Sequence, residues 1–285
     1  MLTRFFKPLL AVLVFSTSSA YAIPGKDAKL PQPPEAPLLE QSYDFSGIVS
    51  LASCSGSLVR FDDSLDTDKA MVLTNGHCVK FIPPGEVLYK QASRKNFGLL
   101  SAEGKKIATL RSTTLLYATM TKTDFALYEL DSSFKEISDN YGIEALSLDR
   151  NIAAIGTKIE VISGYWKRGY SCEVETFSDY LQEGDWLFEQ SLRYSRPGCE
   201  VIGGTSGSPV IAAGTRRVIA VNNTINERGQ KCSLSNPCEI DELGNIVFEK
   251  GYGYAQQTSW VYTCRDNDGK LDLSLEGCLL PSPIK

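Results

Sequence analysis

The single histidine of the chain, His77, lies in the segment Thr74-Asn75-Gly76-His77-Cys78. An imidazole titrates near neutral pH, so it can act as the general base for a serine nucleophile. Ser206, within Gly204-Thr205-Ser206-Gly207-Ser208-Pro209, is the candidate nucleophile, because glycines allow a tight turn that exposes a hydroxyl. Asp124 directly precedes an apolar run, and a carboxylate buried beside the imidazole would fix its tautomer. Together these three residues could carry out nucleophilic hydrolysis.

Each of the three segments also has a purely structural interpretation. Loops of glycine and serine are common, and an aspartate at the start of a strand is often only a turn residue. An isolated histidine is more often a surface or core residue than a catalyst. If the chain is a serine hydrolase, however, His77 must be its base, barring a lysine-based variant, since there is no other histidine.

Short β-type runs separated by Gly, Asp, Asn and Ser turns must position these residues. Long amphipathic helical stretches are scarce, and this pattern is typical of an all-β sandwich or barrel. Examples of the predicted strands are Gly47–Ala52, Gly56–Phe61, Ala70–Thr74, Leu110–Ala118, Phe125–Leu130, Lys158–Ser163 and Val218–Asn222.

The order His77, Asp124, Ser206, with these spacings on an all-β chain, resembles the chymotrypsin/trypsin-like serine peptidases. The segment Cys54-Ser55-Gly56-Ser57-Leu58-Val59 strengthens the resemblance, which covers roughly residues 46–258. It implies two antiparallel six-stranded β-barrels, with the active site in the cleft between them. The first barrel would carry the histidine and the aspartate, and the second barrel the serine.

The resemblance also implies a secreted serine endopeptidase that cleaves proteins or peptides through an acyl-enzyme. The backbone N–H groups of Gly204 and Ser206 would form the oxyanion hole. A disulfide bond between Cys54 and Cys78 would hold His77 beside the first barrel. Two alternatives are an esterase on the same fold, and a catalytically latent or silent protease-fold protein that only binds.

Two departures from the family bear on activation and specificity. Thr205 stands where trypsins carry the aspartate that pairs with a newly formed N-terminus, and Gly47-Ile48-Val49-Ser50 only faintly resembles the activation site. We therefore predict no ion-pair activation switch. The nucleophile segment also resembles the bacterial glutamyl-endopeptidase branch, but Asn222 occupies the position of that branch's glutamate-recognising histidine. Glutamate specificity by that route is not expected.

The predicted substrate-binding residues are Glu200, Asn222, Asn223 and Thr224. Glu200 lies six positions before the nucleophile, the offset of the acidic residue in trypsin's pocket for basic side chains. Cys199 is displaced from the usual pocket cysteine, so Glu200 could equally be a solvated loop acid. The strand from Val221 to Ile225 is the predicted edge for pairing with an incoming peptide.

The N-terminal residues are predicted to be a signal peptide, residues 1–22. Arg4 and Lys7 precede the apolar run Pro8–Phe15, and Ala20-Tyr21-Ala22 supplies small residues for cleavage. The apolar run is too short to be a membrane span, which needs about 20 residues. Residues 23–43 form a Pro-rich leader or linker, and 44–285 the peptidase domain with a cysteine-containing C-terminal extension.

All eight cysteines follow the predicted signal peptide. An even number in an oxidising compartment indicates disulfide bonds, although spacing alone leaves many connectivities open. Cys232–Cys238 and Cys264–Cys278 would close short loops. A zinc cluster is disfavoured because the sequence has no Cys-x-x-Cys pair. The predicted location is extracellular or periplasmic.

Composition excludes several classes of partner. The formal net charge is -5, so a basic surface for nucleic acid is not expected. No cofactor and no metal ion is expected. Asp266-Asn267-Asp268-Gly269 resembles part of a calcium loop, but Leu275 occupies the twelfth position, where such a loop has glutamate. We predict a monomer without a membrane span.

Overall fold

The structure, a computed structural model, describes residues 43–283. The predicted signal peptide, and the predicted leader up to residue 42, lie outside the described residues. Nearly all of the regular secondary structure in the described part is β-strand, which confirms the predicted all-β class.

The strands and helices follow one another with short connections. In chain order they are β1 (Ile48–Ser50), β2 (Ser55–Arg60), β3 (Lys69–Thr74), β4 (Val87–Ala92), β5 (Asn96–Leu100), β6 (Lys106–Thr119), β7 (Phe125–Ser133), α1 (Phe134–Tyr141), β8 (Leu146–Leu148), β9 (Lys158–Ser163), β10 (Arg168–Glu183), β11 (Trp186–Tyr194), β12 (Pro209–Ala212), β13 (Arg217–Ile225), β14 (Cys238–Ile240), β15 (Ile246–Val247), β16 (Gly253–Gln257) and a 3-10 helix (Ser259–Cys264). Each of the seven predicted runs coincides with one of these strands.

Two closed rings of antiparallel strands form the fold. In the first barrel the pairing order is β1-β5-β6-β7-β3-β2, and β2 pairs with β1 again. In the second it is β9-β12-β13-β16-β11-β10, and β10 pairs with β9 again. Closure leaves no free edge within either ring. The predicted pair of six-stranded barrels is thereby confirmed.

Strand β8 connects the two barrels. It runs parallel to β2 on one side and to β13 on the other, with Ser147 as the register partner of both Arg60 and Arg217. Hydrogen bonding therefore continues from one barrel into the other. Strand β4 extends the first barrel from β6, and the β14–β15 hairpin extends the second from β10.

The sequence of β6 illustrates why these segments form strands. Leu110 and Ser112 are buried, whereas Arg111 and Thr113 between them are exposed. This alternation is the two-residue period of a strand with one face in the core. The single α-helix within residues 43–283 follows β7 because Ser133 and Glu136 form a capping box that satisfies its first N–H groups.

The buried apolar side chains of residues 43–283 form two clusters. The smaller one lies within the second barrel, around Val161, Leu192 and Val210. The larger one fills the first barrel, includes Leu271 and Leu280 of the C-terminal extension, and continues into strands of the second barrel. That extension thus packs against the first barrel rather than standing apart from it.

Four disulfide bonds pair all eight cysteines, which confirms the prediction that the protein is disulfide-bonded. One joins Cys54 to Cys78, the pairing that the family resemblance implies, and another joins Cys172 to Cys199. The remaining two close the short loops Cys232–Cys238 and Cys264–Cys278. Among residues 43–283, no helix is both long enough and apolar enough to span a membrane.

Candidate active site

His77 and Asp124 meet at one end of the first barrel. His77 lies in the loop after β3, and Asp124 immediately precedes β7, the strand that pairs with β3. The Asp124 carboxylate accepts two hydrogen bonds from His77: Oδ2 lies 2.5 Å from Nδ1, and Oδ1 lies 3.0 Å from the backbone nitrogen. Asn75 Nδ2 donates to the Asp124 carbonyl oxygen at 2.8 Å. The carboxylate is therefore fixed against one edge of the imidazole.

The local sequence permits this close approach. Gly76 lies against the backbone of Thr119, and a Cβ at this position would come within 2.0 Å of the Thr119 carbonyl oxygen. Only glycine fits there, so the Asn-Gly-His segment can pass close enough to β6 for His77 to reach Asp124.

The electrostatics of the pair favour a protonated imidazole. Burial lowers the pKa of His77, but the charge of Asp124 and its hydrogen bond raise it, and Glu183 raises it further. The net pKa of His77 lies above its ordinary value. Asp124, only 1 % exposed, is thus well placed to stabilise an imidazolium.

Ser206 lies in the loop before β12 of the second barrel, and its side chain lines the same cleft as His77 and Asp124. Its hydroxyl donates to the carbonyl oxygen of Asn223 at 3.3 Å. Among the hydrogen bonds of residues 43–283, none joins Ser206 to His77. Rotation about the Cα–Cβ bond of Ser206 is enough to redirect the hydroxyl.

The loop around Ser206 contains two backbone N–H groups without a hydrogen-bond acceptor among residues 43–283. Gly204 and Gly207 have φ angles of +91° and +80°, which favour glycine. A Cβ on Gly207 would lie 2.2 Å from the carbonyl oxygen of Ser55, so that position also excludes larger residues. The N–H groups of Gly204 and Ser206 have no acceptor among residues 43–283.

The first barrel holds this loop in place through Ser55. Its N–H donates to the Ser206 carbonyl oxygen at 2.8 Å. Its hydroxyl lies 3.3 Å from the Gly204 carbonyl oxygen and 3.0 Å from the hydroxyl of Ser163. The neighbouring Cys54 is disulfide-bonded to Cys78, beside His77. One end of β2 therefore contacts the nucleophile loop and is covalently joined to the histidine loop.

The predicted substrate-binding residues divide into two groups. Asn222, Asn223 and Thr224 line the cleft. The Asn222 side chain accepts a hydrogen bond from the buried Tyr194 hydroxyl at 2.9 Å. Glu200, in contrast, is exposed and does not line the cleft.

Sequence reasoning missed Glu183, which also lines the cleft and is 9 % exposed. Glu183 ends β10, and Trp186 begins β11 as its register partner. The intervening Gly184-Asp185 is a recognised two-residue hairpin signal between strands. That signal could have located the turn, but not its position near His77, which depends on contacts between the barrels.

Among residues 43–283, one group of three side chains of metal-binding type lies close together, and it consists of Cys54, His77 and Cys78. The two sulfur atoms form a disulfide bond, so they are not thiolates. The group is consequently a disulfide beside a histidine.

Comparison with protein families finds that residues 54–221 match the trypsin-like peptidase domain. That segment contains His77, Asp124 and Ser206. A comparison with curated protein sequences found no match.

Several solved structures are similar in shape at low sequence identity. The protease domain of MamO from Magnetospirillum magneticum is 12% identical with a TM-score of 0.48, over 79% of this chain and 98% of that one. Nocardiopsis protease is 15% identical with a TM-score of 0.46, over 80% and 98%. A glutamic-acid-specific serine protease is 16% identical with a TM-score of 0.41, over 76% and 93%.

Proposed function

The chain belongs to the trypsin-like peptidase family and is a serine endopeptidase, and on that basis we propose that His77, Asp124 and Ser206 are its catalytic triad. The observation that carries the proposal is the contact of 2.5 Å between His77 Nδ1 and Asp124 Oδ2, in the cleft that Ser206 also lines. The carboxylate selects the tautomer with a proton on Nδ1, which leaves Nε2 free to accept the serine proton.

The reaction begins when the Ser206 hydroxyl turns from the Asn223 carbonyl toward Nε2 of His77. As the proton moves to Nε2, Oγ forms a bond to the scissile carbonyl carbon, and the carbonyl oxygen becomes an oxyanion. The N–H groups of Gly204 and Ser206 donate to it, and one such donor is worth about 3 kcal/mol.

Collapse of the tetrahedral intermediate breaks the C–N bond. The imidazolium of His77 donates its proton to the leaving amine, and the acyl group stays on Ser206. Water then repeats the sequence, with His77 again as base, and releases the new carboxylate. Asp124 remains ionised throughout and stabilises each imidazolium.

The substrate backbone is proposed to pair with the end of β13. Asn223 and Thr224 line the cleft there, and the bond between Ser206 Oγ and Asn223 O puts the nucleophile next to this segment. An extended peptide can form an additional antiparallel strand on such an edge. Residues before the scissile bond would then run alongside Thr224 and Ile225.

Activity is proposed to require no new N-terminus at Ile48. Ile48 is fully buried within β1, and its N–H already donates to the Phe45 carbonyl oxygen at 2.9 Å. Thr205 takes the place of an acidic partner, and its hydroxyl accepts the N–H of Ile202 at 3.3 Å. The local structure therefore supports a chain that is competent once it has folded.

The proposed compartment is extracellular or periplasmic. Four disulfide bonds support it, because such bonds persist in oxidising environments. Cleavage after Ala22 is the corresponding proposal for the signal peptide. The N-terminal mass of the exported protein tests it.

Fluorophosphonate labelling of the oxidised protein tests the triad. The parent and an exposed-serine control, Ser274→Ala, are expected to be labelled equally, and Ser206→Ala not at all. His77→Ala should label at least about 10³-fold more slowly, because the nucleophile loses its base. Labelling of Ser206→Ala would refute the assignment.

A folded parent that remains unlabelled would support the alternative, a latent or silent binding protein. Labelling that appears only after limited proteolysis would identify the latent form.

A further inference from the structure

We propose that Glu183 is a specificity-determining residue that binds the cationic side chain of a lysine or arginine N-terminal to the scissile bond. This inference rests on the proposed function. It assigns the recognition of basic side chains to the tip of the β10–β11 hairpin, and not to the loop that carries Glu200.

The first argument is that the buried carboxylate of Glu183 forms no ion pair with a lysine or arginine of residues 43–283. Its Oε1 accepts the N–H of Ser235 at 2.7 Å. No lysine or arginine of residues 43–283 lies within 4.0 Å of it. A buried, ionised carboxylate without a cation is costly, and a bound cation would offset much of that cost.

The second argument is the charge of the cleft. Its lining includes the acidic residues Asp124, Glu183 and Glu227, and His77 is the only basic residue type in it. Asp124 is already engaged by His77. A cleft with this excess of negative charge attracts cationic peptides and repels acidic ones.

The third argument is the shape of the wall beside Glu183. Phe81 is 58% exposed, and its ring lies 6.3 Å from the His77 ring and 5.7 Å from the Trp186 ring. Trp186 is held by a hydrogen bond of 2.8 Å from Nε1 to the Ile82 carbonyl oxygen. Lysine and arginine can pack their apolar stems on such aromatic surfaces while their charged groups reach a carboxylate.

The position of Glu183 indicates which part of the substrate it meets. Glu183 lines the cleft together with Thr224 and Ile225. It thus faces the cleft that holds the end of β13, where the residues before the scissile bond are proposed to run. His77 and Ser206 line this cleft as well.

Matched fluorogenic peptides test the inference on the full-length oxidised protein. The peptides differ only by lysine or the uncharged norleucine, at each position on both sides of the bond. The parent is expected to prefer lysine at least about 10-fold in kcat/KM at one position before the bond. In Glu183→Gln that preference should fall to about 2-fold or less.

The matched control is Asp185→Asn, which removes the same charge from the exposed turn two residues away. It should keep the preference of the parent. An active parent without lysine preference before the bond, or a preference that survives in Glu183→Gln, would overturn the inference and leave the triad proposal intact. A parent that neither cleaves any peptide nor labels with fluorophosphonate would instead overturn the proposed function, and this inference with it.

Discussion

The backbone N–H of Ser55, in the first barrel, donates to the carbonyl oxygen of Ser206, in the second, at 2.8 Å. The two residues are far apart in sequence, yet this bond joins the strand next to the histidine loop directly to the candidate nucleophile. The distance between the proposed general base and the proposed nucleophile therefore depends on a contact between the barrels.

Replacing Ser55 by alanine should impair both stability and turnover. The Ser55 hydroxyl contacts Ser163 and Gly204, and it accepts the Tyr165 N–H at 3.1 Å. Loss of these buried bonds should cost about 1–3 kcal/mol of unfolding free energy. We also expect kcat to fall about 10-fold, because a small misplacement of the nucleophile slows the reaction. Urea unfolding and steady-state kinetics measure the two effects.

Ser57→Ala is the matched control for that experiment. Ser57 is fully buried on the same strand, but its hydroxyl has no hydrogen-bond partner among the described residues. Its removal should leave stability and kcat close to those of the parent. Equal losses in both variants would mean that Ser55 acts only as a core residue.

The Cys54–Cys78 disulfide should matter for activity as well as stability. It spans 24 residues, and the chain-entropy model assigns such a loop about 3 kcal/mol. The double variant Cys54→Ala/Cys78→Ala should lose about that much unfolding free energy and label more slowly with fluorophosphonate. The distal pair Cys232→Ala/Cys238→Ala, which spans 6 residues, should lose about 2 kcal/mol. Comparable labelling rates in both would count against a role in positioning His77.

The pH profile of kcat/KM should report the charges that face His77. The active imidazole is neutral, so activity falls as pH drops through the pKa of His77, which Asp124 and Glu183 raise. On the acidic side, the pH at which kcat/KM falls to half its maximum should therefore lie above the ordinary histidine pKa of about 6.5. In Glu183→Gln this midpoint should move to lower pH, because one negative charge is lost. In Asp185→Asn it should not move, and a similar shift there would mean that overall charge is responsible.

Glu183→Gln should also stabilise the fold at neutral pH. Burial raises the pKa of Glu183 in the folded state, so the folded protein binds this proton more tightly than the unfolded chain does. Stability then declines as pH rises through the range between the two values. The glutamine variant lacks this decline, so its Tm should exceed that of the parent at pH 7. At about pH 3, where the carboxyl is protonated in both states, the two Tm values should converge.

The family and the double-barrel fold could be predicted from the sequence, whereas the presence of Glu183 in the cleft could not. His77, Asp124 and Ser206 occupy short segments whose glycines leave few alternative conformations. All seven predicted strands formed because their apolar residues are buried. The β10–β11 hairpin was missed, since β10 carries charged and polar residues along both faces. It is stabilised by pairing with β9, β11 and β14, which no local pattern reveals.

Two glutamates illustrate the same difference. Glu200 was selected by its distance in sequence from Ser206, but it is exposed and does not line the cleft. Glu183 lies further from Ser206 in sequence, yet its carboxylate lines the cleft because the hairpin tip crosses toward the first barrel. The number of residues between an acid and Ser206 predicts whether that acid reaches the cleft only if the loop between them has the length and shape usual in the family. In this chain the Cys172–Cys199 disulfide gives the loop its own geometry.

The two barrels also close one after the other along the chain, the first at Ser133 and the second only at Gln257. During synthesis, the barrel that carries His77 and Asp124 can therefore fold while Ser206 is still to be made. A chain at that stage has the proposed base without the proposed nucleophile, so it cannot yet hydrolyse a peptide bond by this triad. The order of the strands thus delays the proposed hydrolysis until the second barrel has also been made.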